Sequence, residues 1–254
     1  MRVHCKLPKA RAGPVFIVHA SVWPTVKDNR LLAALPEAAC NRLLPDLEPI
    51  ALPIGETLIS PATRVRFAYF PTDSIVTVAY AVEESGAMAK AWPVGCEGMV
   101  GISLFLGGSK PNERADVQVG GRAFRIPAAA LLAEFQRAGA VQHLLLRYVF
   151  ALVTQASQIA VCINYHDTDK RLCRFLMRLF DRLPGGDVAM THERIGELLG
   201  IRRSTISQIA LQLHSEGIID YRRGRIQLIS RAKLEQRTCA CGEIIRRAFD
   251  EVFE

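Results

Sequence analysis

Residues His192 to Leu211, HERIGELLGIRRSTISQIAL, constrain this chain more than any other stretch, because they fit a helix–turn–helix wherever that motif is demanding. With Gly200 as the turn glycine, Ile195, Leu199, Ile201, Ile206 and Ile209 fall where two crossing helices need apolar packing. Gly196 falls at their closest approach. Gly200 suits the tight connection because glycine reaches positive φ without a Cβ clash. The second helix then turns Arg203, Ser204, Ser207, Gln208 and Leu211 outward, with Arg202 and Thr205 beside them. Most of these residues can hydrogen-bond base edges or phosphates. An ordinary αα-hairpin would share the apolar positions but has no use for so polar an outer face.

The next segment of the chain strengthens the reading. Ile218–Tyr221 and Ile226–Ile229 are short β-runs joined by Arg222, Arg223, Gly224 and Arg225, a hairpin with a cationic tip. Placed directly after a recognition helix, it reads as the wing of a winged helix, its arginines in reach of flanking phosphates. From Ile201 to Lys233 seven basic residues face two acidic ones, and residues 1–30 carry six against one. The formal charge of +7 on 254 residues is thus concentrated toward the ends, as a polyanionic partner would favour. Seven cysteines, an odd number spread from Cys5 to Cys241, do not form a disulfide framework. No uninterrupted apolar run reaches the roughly 18 residues of a membrane span, and the segment near Val15–Trp23 is too weak for a secretory signal. These features predict a cytoplasmic protein with reduced thiols and no membrane partner.

The chain divides into five parts. Residues 1–28, with Pro8, Pro14 and Pro24, read as a basic, loosely ordered extension. Residues 29–139 begin with a short helical segment (Asn29–Leu44, interrupted by Pro36). They continue through VRFAYF, SIVTVAYAV, ADVQV and RAFRIP, short strands between turn residues that predict an antiparallel β-roll, and end in a short helix over Ala128–Arg137. Residues 140–164 form a long helix in which Val141, Leu145, Tyr148, Leu152, Gln155, Ile159 and Cys162 recur at alternating spacings of four and three. That seam predicts self-association, with Val149, Val153, Ala156 and Ala160 left to cover the roll. Residues 165–233 come next as the winged helix–turn–helix, opening with an amphipathic helix over Asp169–Leu183. Residues 234–254 form a C-terminal tail. The fold class is α+β.

A β-roll, a long helix, a hinge and a C-terminal winged helix in this order resemble the CRP/FNR family of bacterial transcription regulators. The resemblance spans about Leu31 to Ala232. It is carried by MTHERIGELLGIRRSTISQIALQLHSEGIIDYRRGRI at 190–226, LPIGETL at 52–58, YFPTDSIVTV at 69–78 and GCEGMVGISLFLG at 95–107. It implies a homodimer whose long helices pair, an effector in or near the roll, double-stranded DNA as target and RNA polymerase as a further partner. The family's guanine-reading arginine corresponds to Arg203. Its following glutamate is replaced by Ser204, a second base-reading arginine by Gln208, and a common lysine by Leu211, so sequence preference should differ.

The effector region departs further. Cyclic-AMP-binding members place a glutamate directly after the glycine of the phosphate cassette and later an Arg-Ser or Arg-Thr pair. Here Gly101 is followed by Ile102, and Arg114 by Ala115. A ribose hydroxyl facing Ile102 would lose its partner at roughly 1–3 kcal/mol, and Glu97, earlier in the motif, does not replace it. These five residues mark the candidate effector pocket, and cyclic AMP is disfavoured as its occupant. An iron–sulfur cluster is disfavoured too, since the first 39 residues hold Cys5 alone where the family's cluster needs several cysteines. Cys239-x-Cys241 is a weak metal signal by itself, and the six histidines show no ligand spacing. No metal site and no cofactor are expected, with haem left open, so the input is an unidentified small-molecule or redox effector. Enzymatic catalysis is not expected: residues 47–127 contain no histidine, and Glu83, Glu84, Glu97 and Asp116 lack visible partners.

Overall fold

The computed structural model describes residues 23–81, 88–107, 112–183 and 186–254. The extension expected over residues 1–28 therefore lies outside the described residues as far as position 22. Pro36 splits the first helical segment into α1 (Arg30–Ala33) and α2 (Glu37–Leu43). The strands of the roll are β1 (Glu48–Leu52), β2 (Thr57–Ile59), β3 (Phe67–Pro71), β4 (Ile75–Ala81), β5 (Met88–Val94), β6 (Glu113–Val119) and β7 (Gly121–Pro127). They pair antiparallel in two sheets, of order β1-β7-β3 and β2-β6-β4-β5. Leu52 and Ala123 from the first sheet meet Val76, Val78, Val94 and Val117 from the second in one buried cluster, so the sheets face each other. The roll expected from strand alternation is present.

The helical half comprises α3 (Ala128–Gln136), α4 (Ala140–Tyr165), α5 (Thr168–Arg182), α6 (His192–Leu199), α7 (Arg203–Ser215), α8 (Arg231–Arg237) and α9 (Ala240–Asp250). A further antiparallel sheet joins β8 (Asp187–Ala189), β9 (Ile219–Arg222) and β10 (Arg225–Leu228) in the order β8-β10-β9. Strand β8 is not apparent from the sequence. It pairs only three residues, too few for alternation to show.

Helix α4 is long and apolar enough, by length and composition, to cross a membrane, but here one face is core. Val141, Leu144, Leu145, Tyr148, Ala151 and Leu152 pack against Phe70, Met99 and Ile126 of the roll and Ile245, Ala248 and Phe249 of α9. Tyr148 is fully buried. Its hydroxyl accepts from Met99 N (3.1 Å) and donates to Met99 O (3.0 Å), so burial leaves no unmade hydrogen bond. Gly98 makes room for it, since a Cβ there would lie 2.3 Å from the hydroxyl.

This arrangement corrects the expected dimer seam. Val141, Leu145, Tyr148, Leu152 and Gln155 are buried within their own chain and cannot meet a second copy, and Ile159 is half-buried. The C-terminal tail carries α9, which lies along α4 to cover that seam. The face that remains open carries Leu146, Phe150 (67% exposed), Val153 (56% exposed) and Val161. A heptad spacing identifies an apolar stripe but not the chain that covers it.

Truncating the covered and the open stripe should therefore have very unequal consequences. Leu152→Ala opens a cavity in packed core and should cost about 2–5 kcal/mol, whereas Val153→Ala should change stability by less than about 0.5 kcal/mol in the monomer. Urea unfolding under dilute conditions measures both. Equal losses would contradict this assignment of the faces.

Candidate nucleic-acid interface

The helix–turn–helix forms where its sequence placed it. Thr191 caps α6 by accepting from Arg194 N. Gly200 ends that helix at φ +64°, in the left-handed region. A Cβ on Gly196 would stand 2.5 Å from Ile201 O, the close approach expected of it. Ile195 and Ile206 are fully buried, with Leu199, Ile201 and Ile209 packed around them.

Helix α7 presents Arg203, Ser204, Gln208 and Leu211 to solvent, with Arg202 just ahead of it and Thr205 half-buried. Ser207 differs from expectation. Its hydroxyl lies 3.0 Å from His192 Nδ1, and the His192 ring stacks on Tyr221 of the wing with centroids 3.9 Å apart. Ser207 thus helps join both helices to the wing. No local sequence signal marks His192, because its partners lie 15 and 29 positions away.

The wing turn is left-handed at both central residues, Arg223 (φ +49°) and Gly224 (φ +75°), which suits a two-residue hairpin. Its three arginines are not equivalent. Arg222 pairs with Asp220 (2.9 Å) and Arg225 with Asp187 (2.6 Å), while Arg223 at the tip makes no ion pair among the described residues. Arg202 and Arg203 likewise make none. Arg202, Arg203 and Arg223 are thus three exposed, uncompensated cations of the unit. The unit also extends past residue 233, since Leu234 of α8 is in its core and Arg237 binds Asp169 and Glu216.

The candidate effector residues do not gather around one cavity among the described residues. Ala115 is sealed in the roll core, and Arg114 turns to Asp116 (2.9 Å) and Thr57. Gly101, at φ +102°, starts a single helical turn whose Ile102 packs toward α4's core. The buried polar group nearby is Glu113, which accepts from Ser103 (2.9 Å); burial raises its pKa against the opposing hydrogen bonds of Ser103 and Tyr80. Glu97 lies instead at the junction of roll and α5. Arg182 Nε donates to its Oε1 at 2.6 Å, and Arg182 Nη2 donates to Gln155 Oε1 at 3.1 Å. Burial would raise the Glu97 pKa, but the Arg182 and Arg178 guanidinia together with its hydrogen bonds outweigh it and hold the carboxyl below its ordinary value. Gln155 is thus committed within the chain and does not pair with a twin. Arg178 is buried over the Phe249 ring, beside a cavity of about 170 Å³, and burial lowers its pKa to about 10. Cys96 lines the same cavity, its thiol pushed up to about 11 by burial and by Glu97.

The expectation of no ligand constellation is not met. Cys162 and His166 at the end of α4 come together with Cys239 and Cys241 at the start of α9, one donor atom from each lying within 4.8 Å of the others. Burial raises the Cys162 thiol and pushes that of Cys241 up to about 11. Linear spacing concealed the set because its halves lie 73 or more residues apart.

The folded domain holds His192 below its ordinary pKa near 6.5, first through burial and then through Arg203. The neutral ring therefore stabilises the fold fully above about pH 6.5, and that contribution is lost as pH falls through the lowered value. Thermal melting should fall on acidification below about pH 6.5, and less steeply in His192→Gln. Identical pH profiles for the two proteins would contradict it.

Residues 170–237 match the family model of the Crp-like helix-turn-helix domain. No curated protein sequence matches the chain. Among solved structures it is similar to FixK2 from Bradyrhizobium japonicum, with 16% identity over 76% of this chain and 98% of that one and a TM-score of 0.62. A CRP/FNR-family transcriptional regulator from Thermus thermophilus gives 19% identity, 77% and 98% coverage and a TM-score of 0.56. The c-di-GMP responsive global regulator CLP from Xanthomonas campestris gives 16%, 77% and 100%, and 0.54. Residues 170–237 thus form a Crp-like helix-turn-helix domain, and the chain as a whole carries the fold of the CRP/FNR transcription regulators.

Proposed function

We propose that the chain is a sequence-specific, DNA-binding transcription regulator that acts as a homodimer in the cytoplasm, with the β-roll as its input domain. The observation that carries this reading is the outward face of α7, which exposes Arg203 and Gln208, together with an exposed wing turn bearing an uncompensated Arg223. A guanidinium matches O6 and N7 of guanine bidentately, and a carboxamide matches adenine in the same way. Arg203 is the base reader and Gln208 its neighbour. Arg202 and Arg223 anchor phosphates, and Arg222 and Arg225 can exchange weak surface ion pairs for the same role. Ile102 and Ala115 offer no group for a ribose hydroxyl or a phosphate, so the input in this reading is other than cyclic AMP. Contact with RNA polymerase belongs to the same reading.

The homodimer is assigned to the open stripe of α4, Leu146, Phe150, Val153 and Val161. Leu146, Phe150, Val153, Ser157 and Ala160 follow alternating steps of four and three residues, with Val161 beside them, the pattern that lets two copies of one helix pack knobs into holes. Leu146 and Phe150 are 45% and 67% exposed on a helix whose opposite face is built into core, and a second copy is self-complementary to them. Phe150→Glu should give a folded monomer, because it places two like charges in the seam without touching the core. Light scattering beside circular dichroism measures this. A folded Phe150→Glu dimer would move the interface elsewhere.

Arg203→Ala should cost roughly 1–3 kcal/mol per bidentate contact and relax preference at one base position of each half-site. Arg223→Ala should weaken binding to all sequences alike and reduce the salt dependence by about one phosphate per subunit. Binding isotherms on a panel of single-base mismatches at several salt concentrations separate the two. Indistinguishable profiles would refute the division into base reader and phosphate anchor.

A further inference from the structure

Helix α5 carries Arg174, Arg178 and Arg182 at successive four-residue steps, all three buried. Arg182 has the Glu97 carboxylate, and Arg178 has the Phe249 ring with Asp181 at 4.0 Å. Arg174 makes no ion pair among the described residues. Its Nε donates to Cys162 Sγ at 3.2 Å, and its stem lies against Gly242, directly after Cys241. A buried guanidinium on a ridge of like charges requires a negative partner. A neutral thiol does not supply one.

The sulfur cluster around it has the dimensions of a coordination sphere. A tetrahedral ion about 2.3 Å from sulfur and about 2.0–2.1 Å from nitrogen sets sulfur–sulfur separations of about 3.8 Å and sulfur–nitrogen separations of about 3.6 Å. Cys162 Sγ lies 3.7 Å from Cys239 Sγ, and Cys241 Sγ lies 3.6 Å from His166 Nδ1. The four donor atoms stay within 4.8 Å of one another, which suits one ion and is too tight for ligands spread over several irons of a cluster. Cys162 and His166 stand one helical turn apart on one face at the end of α4, His166 being its C-cap residue. Cys239 directly precedes α9 and Cys241 lies in its first turn, at the positive end of that helix.

We propose that Cys162, His166, Cys239 and Cys241 form a mononuclear zinc site that pins the start of the C-terminal helix to the end of the long helix. Three thiolates, one neutral imidazole through Nδ1 and a divalent zinc carry a net charge of −1. That charge is the counterion Arg174 lacks, and the Arg174 Nε hydrogen bond to Cys162 Sγ is the outer contact that orients a ligating thiolate. On binding, each thiol gives up its proton to solvent, so no redox step is involved. Soft thiolate donors with one imidazole in a tetrahedral set select zinc over the harder divalent ions. With all four positions filled by the protein, the ion is structural: it holds the turn between α4 and α5 against the tail and leaves no site for a substrate. The inference does not depend on what α7 binds.

Elemental analysis of the full chain, purified reduced and without chelator, tests the stoichiometry, with one zinc per chain expected. Replacement by Co²⁺ should give an intense thiolate-to-cobalt charge-transfer band and the visible bands of a tetrahedral site. Cys241→His preserves four donors. It should keep one equivalent of cobalt while losing about a third of the charge-transfer intensity, as three thiolates become two. Arg174→Met should weaken Co²⁺ binding by about 10–100-fold, as loss of an outer-sphere partner does. Circular dichroism on each variant separates loss of the site from loss of the fold. Reduced wild-type protein that takes up no cobalt with a thiolate band would overturn the proposal. So would several irons per chain, a Cys162–Cys239 disulfide whose reduction restores no metal binding, or a Cys241→His protein with unchanged charge-transfer intensity.

Discussion

The buried arginine ridge of α5 is the constraint around which the described parts of the molecule are arranged. Roll, long helix, C-terminal helix and DNA-binding domain meet along it: Glu97 from the roll, Gln155 and Cys162 from α4, Phe249 from α9, and the apolar face of α5 itself turned into the winged-helix core. Like charges at four-residue spacing repel, and removing a guanidinium from water costs several kcal/mol unless a partner offsets it. Each rung therefore meets a specific group: Arg182 the Glu97 carboxylate, Arg178 the Phe249 ring and Asp181, and Arg174 the Cys162 sulfur. The glycines around the ridge reflect the same need. A Cβ on Gly95 would lie 2.9 Å from the Arg182 side chain, and one on Gly98 would collide with Tyr148.

This ridge also gives the proposed function a physical route. Arg182, at the last turn of α5, is hydrogen-bonded both to Glu97 of the roll and to Gln155 of α4. In the proposed function, an input at the roll and a rearrangement of α4 would therefore converge on this one buried group.

The fold and the DNA-binding face are legible in the sequence where the signal is short-ranged. The turn glycine Gly200, the close-approach glycine Gly196 and the strand runs VRFAYF, SIVTVAYAV, ADVQV and RAFRIP are set by neighbours a few positions away. Each appears where expected. The failures share one cause, contacts made over long sequence distance. The stripe Leu145–Tyr148–Leu152 is legible as an apolar seam, but its cover comes from α9, about 100 residues later. Ser207 reads as a base contact because its partner His192 belongs to the preceding helix. Cys239 and Cys241 read as an isolated pair because Cys162 and His166 are brought to them only by the return of the chain. The arginine ridge looks like the polar face of an amphipathic helix, since charged residues at four-residue spacing normally face water.

Selection from random duplex DNA with the 254-residue chain tests the central reading most directly, because it requires the recognition helix, the wing and the dimer at once. The account predicts enrichment of a two-fold symmetric site, its half-sites about 10–10.5 base pairs apart centre to centre, with binding that weakens steeply as salt rises. Enrichment of single or asymmetric half-sites, or of no sequence at all, would contradict it.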